Sequence, residues 1–299
     1  MTFDYDVVIV GSGPAGLAAS LHLSRAGYRA LVLERELFGG NLQHTALIDD
    51  YPGFPKGIPG AQLAGLMLDH ASASGVAIQQ GEVSGVELFS RSRWVACSDG
   101  RGFSCGAVIL ACGTHYSRLG IPNEDKFRGR GVVDCTPCDG GFFVGRDVVV
   151  YGSTDHAVRD ARYLCELGVR VTLLAPDGGP RPGGLEGVTI REGARLMQIL
   201  GSDRVEGVVY SAATGAEEHL AAQGVLVRVG SEPATGFLAD VVDLDTDGYV
   251  LTNAQFETSS KFVLACGNAR SGARPRIASA VGEGATAAAR VGELLASLA

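Results

Sequence analysis

Positive charge is scarce in this 299-residue chain: 25 lysines and arginines stand against 33 acids, a formal net charge of −8. No basic run interrupts that balance and tryptophan occurs once, so the footprint of a nucleic-acid binder is missing. No apolar run approaches the roughly 18 residues of a membrane span. The N-terminus, Met1 to Asp6, carries acid where a secretory leader needs base, and Val7 to Val10 is apolar only for the length of a strand. These absences predict a cytoplasmic protein with no nucleic-acid and no membrane partner.

Close cysteine pairs are scarce too. Seven cysteines lie at 97, 105, 112, 135, 138, 165 and 266, and only Cys135 and Cys138 have CxxC spacing. A structural zinc site would want a second such pair, so no metal is expected. In a reducing compartment the pattern reads as one redox pair among buried single thiols.

Glycine is in excess, at 43 residues, about twice the usual ~7%. With no collagen-like period or low-complexity run, the glycines mark tight turns, which suits nucleotide-binding α/β folds. The length is enough for about two domains of roughly 150 residues.

Asp6 to Val10 is a β-branched run, followed by Gly11-Ser12-Gly13-Pro14-Ala15-Gly16 and an apolar-periodic stretch through Ala26. A second strand, Ala30 to Leu33, ends on Glu34. The pattern recurs at Val148 to Tyr151, Gly152 to Ala157, a helix to Leu167, and a strand at Val169 to Leu174. Ala107 to Gly113 and Lys261 to Asn268 both read as strands ending on tight turns, and Ser279 to Leu298 as one long helix. The expected fold is α/β: two Rossmann-like, three-layer ββα dinucleotide-binding domains, the second inserted in the first. The first is placed at 1–114 and 246–299, the insert at 115–245. No linker composition marks either junction.

The first glycine motif follows a buried strand, opens a helix, and has an acid 23 residues after Gly11. Gly11 allows the tight turn, Gly13 lets backbone meet a pyrophosphate, and Gly16 lets helix pack on strand. Helix N-terminal amides, those of Ala15 and Gly16 behind Pro14, then face the phosphates, and Glu34 is placed to accept from ribose hydroxyls. These residues alone admit NAD or FAD. The loop beyond, Phe38-Gly39-Gly40-Asn41-Leu42 running into Asp50-Tyr51-Pro52-Gly53-Phe54-Pro55, suits an extended FAD better.

These segments resemble the low-molecular-weight thioredoxin reductases, whose GGQL and PGFP segments line the flavin. Leu119 to Glu124 resembles their LGIPGE, and Gly131 to Gly140 their GVSYCATCDG. The resemblance spans almost the whole chain. It implies a homodimer with FAD in the first domain and a redox disulfide, Cys135–Cys138, in the insert. It further implies that Cys138 exchanges electrons with the flavin, that Cys135 exchanges with an external disulfide or dithiol, and that Asp139 relays a proton. Ala111 and Gly113 join the flavin site through their strand-end turn. Gly267-Asn268 stands where the family has a ribityl-binding GD pair, and Asn268 keeps a hydrogen-bonding amide. Pro275-Arg276-Ile277 replaces the family's RQA segment.

The second motif departs from the family's GGGDSA. It reads Gly152-Ser153-Thr154-Asp155-His156-Ala157. Thr154, β-branched, is expected to disfavour positive φ and to crowd a pyrophosphate. Ala175-Pro176-Asp177 stands where the family has the HRR cluster that grips a 2′-phosphate, so NADPH is expected to be a poor fit. Three readings of the insert stay open: it holds nothing and carries the cysteines, it binds NADH weakly, or Gly152, Ser153, Thr154, Asp155 and Ala157 hold another nucleotide, a second FAD in particular. Of the pyridine-nucleotide-independent branches, ferredoxin-dependent and diflavin-linked, the chain most resembles the diflavin-linked disulfide oxidoreductases, in keeping CxxC and part of the second motif while losing the arginines.

The leading expectation is an FAD-dependent thiol–disulfide oxidoreductase that works without NADPH on a thioredoxin-like protein or a small dithiol, its electron partner unidentified. The alternatives are an NADPH-dependent thioredoxin-disulfide reductase, an oxygen-dependent dithiol oxidase, and a flavin-holding scaffold or sensor.

Overall fold

The computed structural model describes residues 3–176 and 185–297. The first strands are β1 (Tyr5–Val10) and β2 (Ala30–Glu34), joined by α1 (Pro14–Arg25). Helix α2 (Gly60–Ala73) leads to β3 (Ala77–Gln80), and β4 (Val83–Leu88), β5 (Arg93–Cys97) and β6 (Gly102–Leu110) follow. The sheet order is β3-β2-β1-β6-β5-β4, parallel from β3 to β6 and antiparallel beyond. Alternation within β1 sets the layers. Val7 and Ile9 pack with Leu17 and Ala19 of α1, while Val8 and Val10 face Val95 and Leu238 on the opposite side. A parallel strand covered on both faces reads as an unbroken apolar run, as β1 and β2 do.

Residues Thr114–Tyr116 (β7) lead into Val132–Val133 (β8) and the one-turn helix α3 (Thr136–Asp139). The next strand–helix–strand unit is β9 (Asp147–Tyr151), α4 (Asp155–Glu166) and β10 (Arg170–Ala175). After β11 (Thr189–Glu192) come β12 (Arg195–Leu200), β13 (Gly207–Ser211) and β14 (Glu217–Ala221), then β15 (Gly224–Val227). Strands β11-β10-β9-β15-β8 form one parallel sheet, and β12-β13-β14 a separate antiparallel one. Val148 and Val150 pack with Ala157, Ala161 and Leu164 of α4, and Val149 and Tyr151 with Leu196, Ile199 and Val208. Both units therefore have the three-layer ββα build.

Residues Ser231–Pro233 (β16) pair with β7, after which β17 (Val263–Ala265) adds to β6 in the first sheet and α5 (Ile277–Ala296) closes the chain. The alanine-rich sequence of α5 has a packing cause. A Cβ on its Gly284 would stand 2.1 Å from the carbonyl oxygen of Ala15, so α5 lies against α1 closer than side chains permit. The compact units are Met1–Gln43, Leu47–His115 and Glu232–Ala299 for the first, and His44–Ala46 with Tyr116–Ser231 for the second. Leu238 and Val242, which the sequence reading puts in the insert, stand in the first unit's core. Both strands that end on tight turns, at 107–113 and 261–268, lie in the first unit; the second unit's counterpart is the β15 end, Val227-Arg228-Val229-Gly230.

Candidate active site

Residue Gly11 turns the chain between two strand ends. Its N–H donates to the Leu33 carbonyl at 2.8 Å, and the Ala111 N–H donates to the Val10 carbonyl at 2.9 Å. At φ +104 it holds a conformation L side chains rarely adopt, and a Cβ there would lie 2.3 Å from the Ala111 oxygen. Gly13 is the N-cap of α1, extended at φ −66 and ψ −179, with no side-chain cap. A Cβ on Gly13 would meet nothing within 4 Å. Open space over uncapped helix-end amides is what a pyrophosphate needs.

The carboxylate of Glu34 organises this loop. Its Oε2 accepts from the Ser12 N–H and Oγ–H, both at 2.8 Å, and its Oε1 from the Glu36 N–H at 3.0 Å. Ser12 Oγ in turn accepts from the Gly39 N–H at 3.0 Å. Oε1 keeps a lone pair for a ribose hydroxyl. Around it, Leu42 is buried with Ile48, Ile58 and Leu63, and Ile277 packs on that cluster. Asn41 Nδ2 donates to the Thr114 carbonyl at 2.9 Å, beside Gly113. Gly267 comes within reach of α1: a Cβ there would lie 2.9 Å from the Ala15 methyl, and its N–H donates to Glu283 at 2.8 Å. Gly40 stands against Gly13, where a Cβ on it would lie 3.3 Å from the Gly13 Cα, so the Gly11, Gly40 and Gly267 segments come together at the start of α1, an arrangement that fits the dinucleotide FAD. Arg276 is turned instead toward Asp50, an exposed pair at 3.5 Å.

In the second unit Cys135 and Cys138 are joined as a disulfide, Cα to Cα 5.3 Å. Cys135 is the N-cap of α3, its Sγ accepting from the Cys138 N–H at 3.2 Å. Cys135 is buried and Cys138 exposed. Asp139 is half-buried next door; burial, then the charge of Asp134, raises its carboxyl above the ordinary range. The remaining cysteines are free thiols, and burial pushes Cys112 up to about 12 and Cys266 higher still, so both stay protonated. Among the described residues no group of side chains could hold a metal ion.

The second motif repeats the two strand-end bonds of the first. The Gly152 N–H donates to the Leu174 carbonyl at 3.0 Å and the Arg228 N–H to the Tyr151 carbonyl at 2.7 Å. Gly152 has φ +142, and a Cβ on it would lie 2.2 Å from the Arg228 oxygen. Thr154 corrects the expectation that a β-branched residue is wrong here. It is the α4 N-cap at φ −78 and ψ 160, the extended conformation of Gly13 and one any residue adopts. Its hydroxyl accepts from the Ala157 N–H and donates to the Arg228 carbonyl, both at 3.2 Å. That hydroxyl caps the helix, and the amides of Asp155 and His156 still stand at the helix start beside Ser153. Ala175 ends β10 beside Glu192 of β11. Asp177 lies outside the described residues.

Two such motifs flanking a disulfide turn identify the family. A model of the pyridine nucleotide-disulphide oxidoreductases matches residues 5–181 and 184–285. The chain belongs to this family. Thioredoxin reductase of Bacillus subtilis (strain 168) is 31% identical over 297 residues, covering 96% of this chain and 93% of that protein. The bifunctional thioredoxin reductase/thioredoxin of Mycobacterium leprae (strain TN) is 35% identical over 294 residues, 95% of this chain, which spans 64% of that longer protein. The crystal structure of Lactococcus lactis thioredoxin reductase matches with a TM-score of 0.91 at 32% identity, covering 98% of this chain and 100% of that one.

Within this family the chain is an FAD-dependent disulfide oxidoreductase of the thioredoxin-reductase type, carrying the Cys135–Cys138 disulfide. The expectation that NADPH is a poor fit is overturned. The matched family is one of pyridine nucleotide enzymes, the match runs through Gly152 to Ala157 and on past Ala175, and thioredoxin reductases recur among the relatives. No helix among the described residues is long and apolar enough to cross a membrane.

Sequence reasoning missed Arg228, Asp160 and Thr136, which form a buried hydrogen-bonded group behind the disulfide. An arginine directly after the apolar run Gly224–Val227 was the available signal.

Proposed function

We propose that this chain is an NADPH-dependent thioredoxin-disulfide reductase working as a homodimer, with a thioredoxin-like protein as the acceptor of its electrons. The observation that carries the reading is the Gly152 loop, which repeats the two strand-end hydrogen bonds and the positive-φ glycine of the Gly11 loop. A loop so preserved keeps a pyrophosphate site at the start of α4. FAD, when bound at the Gly11 cradle, supplies the carrier that takes a hydride from the nicotinamide and returns an electron pair to a disulfide.

The residues of this chain do the rest. Gly11, Gly13 and the α1 amides hold one diphosphate, and Glu34 a ribose. Breaking the Cys135–Cys138 bond takes two electrons and leaves two sulfurs that need protons. Asp139 directly follows Cys138, and burial raises its carboxyl above the ordinary range, toward the form that can donate a proton. The dithiol then attacks the partner's disulfide, passes through a mixed disulfide, and closes again. The sum is NADPH, a proton and a disulfide giving NADP+ and a dithiol.

Steady-state NADPH oxidation tests the reading: it should depend on an oxidised thioredoxin-like protein and saturate with it. Turnover that runs equally well without a disulfide acceptor, with oxygen consumed instead, would contradict it. A second outcome concerns pH. Only the protonated form of Asp139 donates, so turnover should fall as pH rises through its raised pKa. Asp139→Asn should run about 10²-fold slower and lose that limb of the profile. An unchanged profile in this variant would remove Asp139 from the mechanism.

A further inference from the structure

The disulfide turn is anchored to the second motif by a buried ion pair. Arg228 and Thr136 are each 1% exposed and Asp160 is 8% exposed. Thr136, the residue after Cys135, donates its hydroxyl to Asp160 Oδ1 at 2.6 Å. Asp160, on α4, accepts at Oδ2 from Arg228 Nε at 2.6 Å. The same guanidinium donates from Nη2 to the carbonyl of Asp134, the residue before Cys135, at 2.7 Å. Its Nη1 donates to the Val227 carbonyl at 3.1 Å, and its centre lies 4.1 Å from the middle of the Tyr116 ring. Both chain neighbours of Cys135 are therefore held by one buried ion pair, Asp134 by Arg228 and Thr136 by Asp160. The Arg228 carbonyl also accepts from the Thr154 hydroxyl of the Gly152 loop.

A buried ion pair is a costly way to fill a core, and apolar residues of similar volume commonly serve stability as well. What an ion pair adds is direction. Each bond of the guanidinium and the carboxylate has a fixed geometry, and here those bonds end on the backbone and side chain that flank one redox sulfur. While the disulfide is closed, the covalent bond itself holds Cys135 and Cys138 together. Once two electrons and two protons have converted it to two thiols, only the flanks keep the sulfurs in register.

We propose that Arg228, acting through Asp160 and Thr136, is the positioning residue of the Cys135–Cys138 couple, keeping the reduced thiols poised to close again. Sulfurs held in register favour the disulfide, and slack flanks favour the dithiol, so the network sets the couple's reduction equilibrium. The inference rests on the pair being the family's redox disulfide and needs no particular electron donor.

The test uses the flavin-loaded protein without any nicotinamide nucleotide. It is equilibrated anaerobically with reduced and oxidised dithiothreitol in varied ratio, quenched in acid, alkylated, and read by mass at Cys135 and Cys138. In each exchange the two thiols of the reagent become its cyclic disulfide as the protein disulfide becomes two thiols, so electrons and protons balance. Two variants are compared with the wild type. Thr136→Val keeps the shape and removes the hydroxyl; Arg228→Met with Asp160→Leu removes both charges together, leaving neither buried alone. The oxidised and reduced forms of each are also melted.

In both variants the equilibrium should move toward the dithiol by about tenfold, which is ~30 mV for a two-electron couple. A group with a merely structural role would lower the melting temperatures of both forms alike and leave the equilibrium where it was. A shift below about threefold in either variant, or one toward the disulfide, overturns the proposal, and anything from threefold upward toward the dithiol supports it. Failure of the parent chain to use NADPH would leave this result standing, since it is obtained without that nucleotide.

Discussion

Replacing Cys138 with serine should leave a yellow, folded protein that no longer reduces disulfides. The residues proposed to hold the flavin, Gly11 to Gly16, Glu34, Gly39 to Leu42 and Gly267, all belong to the first unit. None of them depends on the sulfur of a residue in the second unit, so FAD content should match the wild type. Turnover is another matter. A lone thiol cannot store an electron pair as a broken S–S bond, and a serine hydroxyl has no thiolate to offer at neutral pH. The expected loss is at least about 10³-fold, the scale seen when a group that acts as a unit with its partner is removed. Cys135→Ser should fall equally far, although its sulfur is the buried one of the pair. Disulfide reduction near the wild-type rate in either variant would sink the assignment. The free thiols Cys112 and Cys266 serve as a control, because alanine at either should leave turnover nearly intact.

The two glycine loops allow a clean double dissociation. Gly11→Ala would place a methyl 2.3 Å from the Ala111 oxygen, and Gly152→Ala one 2.2 Å from the Arg228 oxygen. Real Cβ atoms do not approach a carbonyl so closely, and both glycines also sit at positive φ, where alanine is strained. Each loop must move, and a displacement costing ~3 kcal/mol weakens its ligand by about 10²-fold. Gly11→Ala should therefore emerge from gel filtration without its yellow colour. Gly152→Ala should stay yellow, be bleached normally by dithiothreitol through Cys135 and Cys138, and lose bleaching by NADPH. Extraction should give one FAD per chain in both the wild type and Gly152→Ala. Two FAD in the wild type and one in the variant would mean that the second loop holds flavin, against the proposed function.

Much of the fold could be read in advance because its devices are local. A β-branched run, a glycine turn, an apolar-periodic helix and an acid after the next strand all lie within one short stretch. The spacing from Gly11 to Glu34 is imposed by the geometry of strand, turn and helix, and the observed loop bonds reproduce it. The disulfide was legible for the same reason, since CxxC spacing closes across one turn. A β-branched residue is tolerated at Thr154 because the positive φ of the loop belongs to its first position and not to its third. Gly152 carries the positive φ, and Thr154, like Gly13, is an extended helix cap.

What the sequence could not disclose was long-range. Residues 136, 160 and 228 meet only because β15 lies beside β9 and α4 packs on the sheet. No periodicity links them. In the same way Leu238 and Val242 join the first unit's core through the return of the chain from β16, at a place where composition gives no sign of a junction.

The central claim is that electrons from a nicotinamide nucleotide reach the Cys135–Cys138 disulfide, and one anaerobic experiment addresses it directly. The oxidised protein is mixed with a small excess of NADPH, its absorbance is followed, and the thiols are trapped by alkylation after the reaction stops. The account predicts rapid, saturable bleaching of the flavin and the appearance of two new alkylated residues, Cys135 and Cys138, with Cys97, Cys105, Cys112, Cys165 and Cys266 unchanged between samples. Flavin that stays yellow and a disulfide that stays closed with NADPH, while dithiothreitol opens both, would contradict it.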